Sequence, residues 1–187
     1  FSVCFLLLSR EFITLWLGSG FVIDDASVLM KALMLYLSCL LQPIFGFREA
    51  LGLYQKTKYM MLAAAVINVV LSIFMGMQWG MAGILGASII AMLTTYLWYE
   101  PIVLYRDCFG VSAKGYFTGR LKEILALAIV IAGLGWLGSY WAVNTWAMWI
   151  VKSGVFFILV NLYCLLLYHR NSGFKELLFR LKERVGR

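Results

Sequence analysis

The sequence predicts an all-α fold, a polytopic bundle of transmembrane helices. Three observations carry that expectation. The 187 residues are 63% hydrophobic and 13% charged, whereas a soluble domain is about a quarter charged and about half apolar. The apolar residues gather in runs near the roughly 20 residues that a helix needs to cross a bilayer. Basic residues avoid alternate connections between those runs. No soluble domain is expected, because the longest connection, residues 106–123, is too short to fold alone.

Residues 1–17 read as a truncated first span. The chain starts inside that run without an initiator Met, so it reads as a piece whose N-terminal part is missing. No small-residue cleavage site follows the apolar start, which argues against a secretory signal. Five complete spans are expected at 26–47, 59–77, 81–105, 124–141 and 146–168. The second and third of these share a long apolar stretch, uncharged from Asn68 to Met92. Residues 59–105 exceed one membrane thickness, so a turn is expected at 76–80, with Trp79 at the interface. Residues 1–168 thus form one transmembrane lobe. The tail, residues 169–187, is basic and reads as the natural end of the chain. Its Phe174, Leu177, Leu178 and Leu181 fall at i, i+3, i+4 and i+7, the pattern of a helix lying on a membrane surface.

The formal net charge is +7, and its placement is informative. The connections at 46–58 and 106–122, with the tail, hold 13 of the 16 basic residues. The connections near 18–25, 76–80 and 139–145 hold none. This asymmetry places the basic loops and the tail in the cytoplasm. Cys4, Cys39, Cys108 and Cys164 share no C-x-x-C spacing and read as small buried hydrophobes.

Polar side chains at membrane depth are costly, so each is a candidate site with a structural alternative. Asn68 can join two helices by a hydrogen bond or line a cavity. Pro43 removes a backbone donor and frees a carbonyl near Cys39, which predicts a kink or break at 39–43. Gln42, Arg48 and Glu49 then lie on a polar path along a broken helix, or in the headgroup zone beyond a kink. Glu100, before Pro101, must be protonated, paired or in water. Paired means an ion pair with a basic residue near the cytoplasmic face; otherwise it serves proton or cation coupling. Lys31 and Lys152 lie one to two turns from the outer side. They either snorkel or face a cavity that attracts an anion such as a pyrophosphate. Gly83, Ala87 and Ala91 form a small-residue stripe suited to close helix contact.

Catalysis has little support. His169 is the one histidine, at a span end, and no metal-ligand cluster is visible. Asp24 and Asp25 lie in an outer loop and read as solvated. No catalytic, cofactor or metal site is expected.

An ordered string of motifs adds to this reading. It runs "FITLWLGSGF" (Phe12 to Phe21), "QPIFGFREALGLYQKTKY" (Gln42 to Tyr59), "INVVLSIFM" (Ile67 to Met75), "GMAGILGASI" (Gly80 to Ile89) and "YEPIVLYRDCFG" (Tyr99 to Gly110). Over about residues 12–110 the chain resembles the C-terminal half of Wzx-type polysaccharide flippases. Those are the O-antigen and capsule exporters of the multidrug/oligosaccharidyl-lipid/polysaccharide exporter superfamily. The last two spans agree only in hydropathy and in the basic tail. The resemblance implies a two-lobe transporter of the bacterial inner membrane, of which this chain holds the second lobe. It implies movement of an undecaprenyl-pyrophosphate-linked oligosaccharide to the outer leaflet by ion-coupled alternating access. Partners would be that substrate, membrane lipids and other glycan-assembly proteins, with no nucleic acid and no cofactor. The rivals are a cation-coupled multidrug exporter of the same superfamily and a membrane-embedded glycan polymerase or ligase. The first predicts acidic cavity residues in excess, whereas Lys31, Arg48 and Lys152 stand against Glu100. The second needs a large outer loop, and the outer loops here are short. A third rival is a non-transporting membrane scaffold, in which removing these charges would do nothing.

Overall fold

The computed structural model describes residues 1–169 and Glu176. Among them the protein is all-helical: α1 (Ser2–Leu17), α2 (Asp25–Ala50), α3 (Tyr54–Thr94), α4 (Tyr96–Cys108), α5 (Lys114–Ser139) and α6 (Trp146–Tyr168), with a 3-10 turn at Ser19–Phe21. Four stretches are long and apolar enough to cross a membrane: Asp25–Ala50, Tyr54–Cys108, Lys114–Ser139 and Trp146–Tyr168. They are compatible with a multi-pass membrane protein. Large apolar side chains such as Ile73, Phe74, Ile129, Phe157 and Leu166 face outward, where a lipid solvent would meet them. The expected amphipathic pattern of Phe174, Leu177, Leu178 and Leu181 lies outside the described residues.

The long stretch is folded in two. Gly80 adopts φ 56°, ψ −130°, a conformation essentially reserved for glycine. Two arms of α3 then run antiparallel from that point. Asn68 Nδ2 donates to Ser88 Oγ across the hairpin at 2.9 Å. Gly83 presses on the opposite arm so closely that a Cβ there would sit 2.0 Å from the Met75 carbonyl oxygen. Gly83, Ala87 and Ala91 are all buried, as a small-residue stripe at a helix contact requires.

Two interruptions differ from the sequence expectation. The chain does not break at 39–43, because α2 runs through Pro43 to Ala50. Interior prolines are tolerated in membrane helices, since other groups re-satisfy the freed backbone. The break falls instead at Thr95 (φ −120°, ψ −75°), inside the span expected at 81–105. Thr94 Oγ1 donates back to the Ile90 carbonyl at 2.8 Å, and Thr95 Oγ1 to that of Ala91 at 2.5 Å. Such back-bonding bends helices. The Thr94 carbonyl beside the break is satisfied by the Trp98 indole N–H at 2.7 Å.

Two packed clusters fill the interior. In one, Val3 and Leu8 of α1 join Leu134 of α5 and Phe156 of α6. In the other, Leu41 and Ile44 of α2 join Leu104 of α4. An Arg10–Asp25 ion pair at 3.0 Å ties α1 to the start of α2. Cys39 and Cys164 are exposed rather than buried, while Cys4 and Cys108 are half-buried.

Candidate functional site

The candidate polar residues fall into three bonded groups and one open face. The first group joins α2 to α4. Arg48 Nη1 meets Glu100 Oε1 at 2.8 Å, with side chains 8% and 1% exposed. Phe45 and Tyr54 flank the guanidinium, with Cζ 4.7 and 5.3 Å from their ring centroids. Pairing answers the cost of a carboxylate at this depth. Nearby, Lys56 reaches Asp107 at 2.9 Å and the Tyr99 hydroxyl donates to the Lys56 carbonyl at 3.0 Å. These contacts fasten the α2–α3 turn onto α4.

The second group surrounds Lys152, which is 2% exposed. Its three ammonium donors are all used. They reach Glu11 Oε1 at 2.5 Å and the carbonyls of Gly138 and Trp141 at 3.2 and 3.0 Å. Lys152 therefore caps the C-terminus of α5, where a cation also meets the negative end of the helix dipole. Sequence reading missed Glu11, which lies 141 positions from Lys152. The available signal was a carboxylate in an apolar run with Lys152 elsewhere in want of one. The third group is the Asn68–Ser88 bond, extended by Ser72 Oγ donating to Asn68 Oδ1 at 3.3 Å.

The open face belongs to α2. Lys31, Ser38, Gln42 and Glu49 stand at i, i+7, i+11 and i+18, within about 40° of one another at 3.6 residues per turn. They run about 27 Å along the axis, close to the roughly 30 Å of a hydrocarbon core. Lys31, Gln42 and Glu49 are exposed, and Ser38 is half-buried with its hydroxyl bonded to the Met34 carbonyl at 2.8 Å. An open recess of about 460 Å³ is lined by Ser38, Cys39, Gln42 and Pro43. Pro43 supplies no donor to the carbonyl of Cys39, which adds an acceptor there. The inner half of α2 buries Leu37, Leu41, Ile44 and Arg48 on another face.

The outer end of α2 is capped by Asp24, whose carboxylate accepts the Ser27 N–H at 2.8 Å. The Ser27 hydroxyl and N–H hold the Asp24 carboxyl below its ordinary value. That hydroxyl lies near the carboxylate but outside hydrogen-bond geometry, and it is buried. Among the described residues no group of three or more His, Cys, Asp or Glu could hold a metal ion.

Of the seven sequence candidates, Arg48 and Glu100 come together, Asn68 and Lys152 join helices, and Lys31, Gln42 and Glu49 share the open face. Comparison with protein-family models, curated protein sequences and solved structures finds no match to this chain.

Proposed function

We propose that this chain is part of the second lobe of an exporter that flips lipid-linked oligosaccharide across the bacterial inner membrane, with α2 lining its central path. One observation carries the reading. Lys31, Gln42 and Glu49 stay exposed along one stripe over a membrane's depth, with half-buried Ser38 between them, while the charges of Arg48, Glu100 and Lys152 are neutralised inside the protein. A helix wholly in lipid would not keep such a stripe, because each polar group at that depth costs free energy. A helix lining water would. The lobe then has five crossings after α1, the doubled α3 and α4 unit supplying two. Basic connections and the tail lie on the cytoplasmic side. The undecaprenyl-pyrophosphate substrate is supported by the motif string alone. Arg48 pairs with Glu100 and stands 3.9 Å from the exposed Glu49, so Glu49 is the one acidic residue of the stripe, against Lys31.

Disruption of the full-length gene tests this reading. Lost surface polysaccharide with intact lipid-linked precursor held on the cytoplasmic side is expected. Normal surface polysaccharide would contradict it, and altered drug sensitivity in the same strain would favour the drug exporter.

A further inference from the structure

Lys31 differs from the other basic residues outside the basic loops and tail. Arg10 pairs with Asp25 and Lys152 with Glu11, whereas Lys31 has no ion pair or hydrogen bond among the described residues. Asp24 is committed to capping α2 and Asp25 to Arg10. Lys31 is thus an uncompensated cation about 9 Å below the start of α2, at 1.5 Å per residue.

It borders a cavity of about 370 Å³ between α1, α2 and the second arm of α3. Ser9 and Ser27 also line it, and their hydroxyl oxygens are buried without a hydrogen-bond partner. Buried hydroxyls without partners are uncommon and costly. The remaining lining is apolar, including Phe5, Phe12, Val28 and Met81. Phe5, Ser9 and Phe12 also line a second, almost wholly apolar groove of about 680 Å³ between α1 and α6. One cation and two buried, unpartnered hydroxyls therefore sit in the wall of this cavity, beside an apolar surface that follows α1.

We propose that this junction binds a phosphate-bearing long-chain lipid, its head on Lys31, Ser9 and Ser27 and its chain along the α1 face that carries Phe5 and Phe12. Phosphate offers several strong acceptors to an ammonium and two hydroxyls. The chain buries apolar surface in the adjoining groove. The site stands on its own geometry; the choice of a polyprenyl carrier over bulk anionic lipid rests on the flippase reading.

Native mass spectrometry of the purified chain in detergent tests the site, with undecaprenyl phosphate, phosphatidylglycerol and phosphatidylcholine as separate probes. The phosphate-headed carrier is expected to bind at least about tenfold tighter than the zwitterionic lipid, a difference of about 1.4 kcal/mol. Lys31→Gln should remove that preference and Lys31→Arg should keep it. Ser27→Ala and Ser9→Ala should each weaken binding of the carrier several-fold relative to the zwitterionic lipid, so that a change in stability alone does not count. Phosphatidylglycerol binding as tightly as the carrier, and lost in Lys31→Gln, would support the site and assign it to bulk lipid. Equal binding of all three lipids, or a preference untouched by Lys31→Gln, would overturn it. No transport is measured, so such a failure leaves the flippase reading to the precursor assay.

Discussion

At the residue scale, the buried charges are structural partners. Removing one member of a buried pair leaves the other uncompensated, a cost of about 3–5 kcal/mol. Glu100→Gln should lower thermal stability in detergent by that order, and Arg48→Met with Glu100→Leu should restore most of it. A double variant as unstable as the single would contradict the pair's structural role. Asn68→Leu should cost about 0.6 to 1.7 kcal/mol, and a double-mutant cycle with Ser88→Ala should recover the coupling. Asp24 adds a pH signature. Its carboxyl is lowered below the ordinary value of 3.8, so its capping contribution is complete above that value and is lost as pH falls through the lowered one. The Asp24→Ala penalty on melting temperature should therefore be equal at about pH 7 and pH 5 and shrink only in stronger acid. Residue types in the apolar runs made Asn68, Glu100 and Lys152 legible as polar points. Their partners were not legible, because Ser88, Arg48 and Glu11 lie 20, 52 and 141 positions away, and only the fold joins them.

At the scale of elements, the α3 hairpin depends on two glycines for different reasons. Gly80 supplies a conformation that side chains resist, and Gly83 a contact that a Cβ would block. Gly83→Leu should prevent the arms from closing, with lower expression and a lower melting temperature. Gly80→Ala should destabilise through backbone strain of about 1–3 kcal/mol. Unchanged melting of Gly83→Leu would argue against the hairpin contact. The turn was legible because its apolar stretch exceeded a membrane. The helix interruptions were less so. Pro43 marked a kink or break at 39–43, and α2 makes no break there; the break lies at Thr95, where threonine back-bonding bends the chain. Pattern reading weighs proline heavily and sees little of side-chain hydroxyls that compete for backbone carbonyls.

At the scale of the molecule, α1 lies against α2, α5 and α6, Tyr116 of α5 packs on the α2–α4 cluster, and α2 turns a polar stripe away from that cluster. Hydropathy shows that the chain is built from apolar helices. It does not show which side of α2 is packed, since Lys31, Gln42, Arg48 and Glu49 are all polar and only Arg48 faces inward. In the proposed transporter the open side of α2 meets water. Labelling with a membrane-impermeant thiol reagent, in intact membranes, tests it most directly. Gln42→Cys in a cysteine-free background is compared with the same background retaining only Cys164, which is also exposed, on α6. Rapid labelling is expected at position 42 and none at Cys164 until detergent is added. Equal protection of both positions would mean that α2 faces lipid along its length, which would contradict the claim.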